Sequence, residues 1–217
     1  MLERYAKGAM VFLINYKSGG KGCPEGGVYG ELQPHDWNSN DFSDPRFPQP
    51  GTLIEFLARH KNLETDFFYF GSEFICSEKM LKIIKLFRHG RIDTVEIRVH
   101  LQGCKSPTPP QKYYLLRSRE IRSLLDQKNA VYETRKDPIT NLPEKDIYHN
   151  DRYIYDSITK FVIKKKDIDL DFFICGEMLM NEYVFSPSLK RAIESENLKG
   201  ISFIDIEQSF YDAKLEF

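Results

Sequence analysis

Phe74-Ile75-Cys76-Ser77-Glu78-Lys79-Met80 is echoed 109 positions on by Tyr183-Val184-Phe185-Ser186-Pro187-Ser188-Leu189. In each copy an apolar strand-like run meets a serine whose hydroxyl can accept from an orphan amide of a following helix. After Ser77, Met80, Ile83, Ile84 and Phe87 recur at helical spacing, while Lys82, Lys85 and Arg88 fall on the opposite face. His89-Gly90 stops that helix, and Thr94 to Leu101 alternates Val95, Ile97 and Val99 against charged residues, the pattern of a half-buried strand. The second copy follows the same plan. Pro187 sits where a helix tolerates a missing N–H, Leu189, Ala192 and Ile193 form the stripe, Gly200 closes it, and Ile201 to Ile206 returns as a strand. Asp171 to Cys175 is the strand before it. The expected fold is α+β, with two related strand-helix-strand units around a mixed or antiparallel sheet.

Outward from these units the signals weaken. Ala9 to Tyr16 reads as a strand, and Ser18 to Gly51 as an irregular Gly/Pro/Asn-rich region carrying Tyr29, Trp37, Phe42 and Phe47. Thr52 to His60 reads as a short capped helix and Asp66 to Phe70 as an aromatic strand. Ser106-Pro107-Thr108-Pro109-Pro110 marks a joint. It divides residues 1–110, an N-terminal lobe, from residues 111–217, a C-terminal lobe, or it interrupts one continuous domain. Tyr113 to Leu116 restarts a strand, Ser118 to Asn129 reads as one or two polar helical turns, and Lys136 to Pro143 as a loop.

Composition excludes several classes. Thirty-one basic and thirty-two acidic residues leave a net charge of −1, and the two halves carry +1 and −2, so neither attracts nucleic acid or a membrane surface strongly. Cys23, Cys76, Cys104 and Cys175 never form a C-x-x-C pair, which suits a reducing cytoplasm. The apolar run at Ala9 to Ile14 is too short for an export signal or a membrane span.

Catalytic motifs are incomplete. Lys17-Ser18-Gly19-Gly20-Lys21-Gly22 imitates a phosphate loop, but Gly22 occupies the Ser/Thr position and Asn15 that of the first glycine. The five histidines lack metal-ligand spacing. His35-Asp36 and His149-Asn150-Asp151 could each pair a base with a carboxylate, although sequence neighbours seldom face one another. Cys23 and Cys104 have no local nucleophile signature, and Asp167, Asp169 and Asp171 cancel Lys164-Lys165-Lys166. No catalytic, cofactor-binding or metal-binding residue is assigned. The partner-binding candidates are Asp36, Trp37, Asp41, Phe42 and Asp44, an acidic-aromatic stretch suited to a protein whose own site binds phosphate or nucleic acid. The alternative is that Trp37 and Phe42 staple the loop to the core.

The order Tyr113-Tyr114-Leu115-Leu116, Asp126, Phe172-Phe173, Tyr183-Val184-Phe185-Ser186 and Leu198-Lys199-Gly200-Ile201-Ser202-Phe203 resembles immunity proteins of bacterial polymorphic toxin systems. The nearest group is the eleventh immunity family, with the forty-third as its neighbour. Arg117-Ser118 stands where that pattern carries Asn, and Lys128-Asn129 where it carries Ser. The resemblance implies a small cytoplasmic protein that binds and neutralises a cognate toxin domain without cofactor or turnover. The alternatives are a small hydrolase or transferase using the Gly-rich loop and a His/Asp pair, or an interaction module with no toxin partner.

Overall fold

The computed structural model describes residues 10–39, 41, 44–102, 108–146, 152–164, 168–178, 182–209 and 211–212. Three sheets dominate, with only two short α-helices among the described residues, so the α+β class holds coarsely and the protein is mostly β. The first sheet has six strands in the order β2 (Gly30–Gln33), β3 (Ile54–Ala58), β6 (Ile92–Leu101), β7 (Tyr113–Ser118), β5 (Glu73–Ser77) and β4 (Phe67–Phe70). The second runs β13 (Ile201–Asp205), β1 (Phe12–Tyr16), β12 (Tyr183–Phe185), β11 (Phe172–Cys175), β8 (Ile121–Arg122). A third, small sheet joins β14 (Tyr211–Asp212), β10 (Tyr155–Lys160) and β9 (Val131–Thr134).

Both large sheets are buried on two faces, which explains the unbroken apolar runs. Phe74 and Cys76 join a central core with Phe172, Ile174, Tyr183 and Phe185 of the other sheet. The intervening Ile75 and Leu115 face an outer core under the N-terminal loop, with Trp37, Phe47 and Phe56. Phe173, Cys175 and Val184 face a second outer core with Tyr155, Ile158 and Phe161.

Helix α1 (Glu78–Ile84) and helix α2 (Pro187–Ser195) add Met80, Ile84, Leu189 and Ile193 to the central core. Their caps match closely. Ser77 (φ −67°, ψ 159°) accepts from the Met80 amide and Ser186 (φ −68°, ψ 159°) from the Leu189 amide, each at 3.2 Å. The strands around them follow one scheme. The run β6-β7-β5-β4 has its counterpart in β13-β1-β12-β11; Val95 and Ile75 flank Leu115 as Ile204 and Val184 flank Leu13. The strand that follows the first unit in sequence, β7, thus has its spatial match in β1, which precedes both.

Two buried aspartates lock these units together. Asp66, just before β4, exchanges bonds with Lys199 beyond α2: its amide donates to the Lys199 carbonyl at 2.8 Å and its carboxylate accepts from the Lys199 amide at 2.7 Å. Asp171, just before β11, does the same with Arg88 beyond α1, at 2.6 and 3.1 Å. The carbonyls of Asp66 and Asp171 accept from the amides of Ser77 and Ser186, both at 2.9 Å. Gly200 makes the close approach possible at φ +73°, since a Cβ there would lie 1.9 Å from Thr65 Oγ1.

Several expectations need correction. Thr52–His60 is not a helix: Ile54, Phe56 and Ala58 alternate inward as β3, paired in parallel with β6. Ser118 to Asn129 holds β8 and a turn at Asp126 rather than helical turns. Helix α1 ends at Ile84, and Phe87 packs on the core from the turn beyond it. Strand β2 arises where irregular chain was expected, and β9 and β10 lie where the sequence assigned no element.

Ala replacements of Asp66 and Asp171 will each lower the unfolding free energy by about 2–3 kcal/mol, because buried donors lose an anionic acceptor. Ser186→Ala will cost about 1 kcal/mol as a lost cap. Ser77→Ala will cost more, since its hydroxyl also donates to Asp66 Oδ1. Urea unfolding followed by circular dichroism checks this order, and equal effects of the two serine variants would contradict it.

Candidate functional site

The acidic-aromatic stretch is held largely from beneath. Trp37 is 5% exposed, packs in the outer core, and its Nε1 donates to Glu73 Oε1 at 2.7 Å. Glu73 also accepts from the Arg117 guanidinium at 3.3 Å, and both side chains are almost fully buried. Arg117 lies 3.7 Å over the Phe47 ring and donates to the Asp41 carbonyl. The buried Asp44 accepts from the Asn38 and Arg46 amides and from the Arg46 guanidinium, which holds its carboxyl well below the usual carboxylate range. Trp37 and the Asp41 carbonyl thus meet the Glu73–Arg117 pair, while Asp44 braces the loop through Asn38 and Arg46. Asp36 is exposed, Asp41 half-buried, and Phe42 lies outside the described residues.

The other candidates disperse. Gly22 is wedged against Glu64, whose Cβ a side chain at Gly22 would meet at 2.4 Å, and the loop closes on Cys23 rather than opening around a ligand. Burial pushes the Cys23 and Cys175 thiols up, away from thiolate chemistry. His35 is exposed with its ring 4.7 Å from Trp37. Asp171 is buried and consumed by Arg88. Cys104, His149, Asn150, Asp151, Lys165, Lys166 and Asp167 lie outside the described residues. Among the described residues no cluster of three His, Cys, Asp or Glu could hold a metal, and no helix is long and apolar enough to cross a membrane.

A feature that periodicity missed lies on the far side of Arg119, whose guanidinium stands 5.9 Å from the Phe47 ring centroid. Arg119 is one wall of a cavity of about 450 Å³ shared with Arg122, Arg152, Tyr153, Lys164 and Glu177. Glu177 is buried and saturated by the Leu124 and Leu125 amides, the Ser123 hydroxyl and the Cys175 thiol. Lys164 Nζ donates to that same hydroxyl at 2.9 Å. A serine whose proton is given to a carboxylate, and which accepts from an ammonium, is a fixed structural link rather than an activated nucleophile.

Tyr153 continues the wall into a ribbon. Residues 131–136, 143–146 and 152–160 zip together through Arg135, Glu144 and Ile154 and through the bridges Lys136 to Pro143 and Lys145 to Tyr153. The tip is built by Asp137, whose carboxylate accepts from the Ile139 amide and from the amide and hydroxyl of Thr140. Asn141 takes the left-handed conformation, φ 56°, to close it. These bonds from Thr140 and Ile139 hold the Asp137 carboxyl below its ordinary range. The finger presents Ile139, 91% exposed, and Leu142, 64% exposed. This tip is the loop expected at Lys136 to Pro143, with Asp137-Pro138 before Thr140-Asn141 as its turn signal.

Residues 34–215 match the family model of Immunity protein 43. The chain belongs to that family. Of the two groups that the sequence resembles, the forty-third is thus the one matched, and Arg117, which departs from the pattern of its neighbour, is the buried centre of the loop's support. No curated protein matches the chain. The matched span in this Immunity protein 43 member begins at the acidic loop and takes in the cavity and the ribbon.

Glu73→Ala will cost about 3–5 kcal/mol by removing the carboxylate paired with the buried Arg117 guanidinium, whereas Trp37→Phe will cost about 1.5–3 kcal/mol for one lost bond to a carboxylate. Thermal and urea unfolding test the ranking. At the finger, a depressed carboxyl pKa means order that is complete above the ordinary carboxylate range and lost as pH falls through the depressed value. Amide exchange at Ile139 and Thr140, corrected for intrinsic rate, should lose protection only there, and in Asp137→Ala at every pH.

Proposed function

We propose that this member of the Immunity protein 43 family binds a cognate bacterial toxin domain one to one and neutralises it in the cytoplasm, within a polymorphic toxin system. The observation that carries this reading is the family match over residues 34–215. Neutralisation of this kind needs a rigid face of about 800 Å² per partner and no turnover. The buried polar groups described above are consumed by internal bonds, which supports an inhibitor without cofactor or catalysis. The near-neutral charge supports a protein partner rather than nucleic acid.

We also read the two capped units as copies of one module, on their shared strand order and caps. The chain acts in this reading as one body rather than as separate lobes at 1–110 and 111–217, since β1 is a central strand beside β12 and β13. The acidic loop contributes Asp36 and Asp41 to the surface, with Trp37 and Asp44 bracing it.

Co-expression tests the function. This chain should restore growth to cells producing the toxin domain encoded beside it and co-purify with that domain at one to one. Rescue without a complex would instead indicate antidote chemistry.

A further inference from the structure

Four of the ten large apolar side chains exposed among the described residues, Val131, Ile139, Leu142 and Tyr153, fall within the ribbon at 131–153. None of them belongs to a core cluster, so the fold does not need them apolar. A solvated isoleucine at 91% exposure is ordinary on a floppy loop, but this one stands on a tip tied by the Asp137 bonds and by the Asp137 amide donating to the Leu142 carbonyl at 2.9 Å. A prefixed apolar tip loses little conformational entropy when a partner closes over it.

The cavity beside the finger supplies the second half. Its lining holds four cationic side chains and one carboxylate. Arg119 is paired with Asp93 and Arg122 with Glu120, and Glu177 is saturated. Two donors remain uncommitted. Arg152 Nε is buried with no hydrogen-bond partner among the described residues, although the same guanidinium donates to the Met178 carbonyl and lies 3.7 Å from Asp146. Lys164 Nζ meets the Ser123 hydroxyl and makes no ion pair among the described residues. A buried unsatisfied guanidinium N–H beside an unpaired ammonium is a receptor for a carboxylate oxygen.

We propose that the toxin docks on this face, taking Ile139 and Leu142 into an apolar recess while one of its aspartate or glutamate side chains enters the cavity between Arg152 and Lys164. This rests on the toxin-binding reading and deepens it. The two contacts divide the work: the finger supplies desolvated area, and the cavity supplies orientation and charge steering. Tyr153, exposed on the ribbon and lining the cavity, makes the two continuous.

The test is calorimetric titration of the full chain with an inactive form of the cognate toxin domain. The double variant Ile139→Ser/Leu142→Ser should weaken binding about 30-fold or more. Lys164→Glu should weaken it about 10-fold, mainly by slower association, and flatten the salt dependence. Leu86→Ser, at an apolar side chain exposed elsewhere, should bind as wild type. Hydrogen exchange on the wild-type complex needs no variant and should show new protection at 137–142 and 152–155. If wild type binds but the finger and cavity variants bind within about twofold of it, or the ribbon gains no protection, the docking face is wrong and the immunity reading stands. If wild type does not bind at all, both fall.

Discussion

Two buried carboxylates hold this molecule in register. A carboxylate taken out of water is unfavourable unless donors surround it, and for Asp66 and Asp171 those donors come largely from the helix exit of the opposite unit. Neither is satisfied until α1, α2 and both hairpins are in place, so half-docked arrangements leave a buried charge exposed to its full desolvation penalty. The central core would tolerate sliding between Phe74, Phe172 and Phe185, since apolar contacts are not directional. The reciprocal aspartate bonds choose one alignment among those the core permits.

The parts of the fold legible from sequence were those where one period dominates. Ser77 and Ser186 announce their helices because a cap followed by a stripe has few other meanings, and Val95-Ile97-Val99 could only be a half-buried strand. Thr52–His60 was misread for a physical reason: Leu53, Ile54, Phe56 and Leu57 satisfy helical spacing, yet Ile54, Phe56 and Ala58 also alternate, and so short a window cannot separate the two. The parallel pairing with β6 decided in favour of the strand. Strand β10 was hidden by register shifts between Tyr155 and Ser157 and between Ile158 and Lys160, which break its alternation.

The candidate site was less legible still, because surface function leaves no periodic trace. Trp37 and Asp44 attracted notice as residue types, and both side chains are buried, Trp37 bonded to Glu73 and Asp44 paired with Arg46. Arg117 looked like a departure from a family pattern. It is instead a buried cation shared by Glu73, Phe47 and the Asp41 carbonyl, contacts that come from distant points of the chain. The cavity likewise draws Arg119, Arg152, Lys164 and Glu177 together from separate segments. Only the Asp137 turn carried a local signal.

The placement of β1 has a consequence for biosynthesis. Phe12-Leu13-Ile14 emerges from the ribosome well before its neighbours in the sheet, Val184, Phe185 and Phe203 to Asp205. At about 5–20 residues per second a nascent chain waits on the order of 10–40 s before that strand finds both partners. Through this interval an apolar segment with two open edges invites pairing with other chains, so the yield of competent molecules depends on what shelters it until those partners are made.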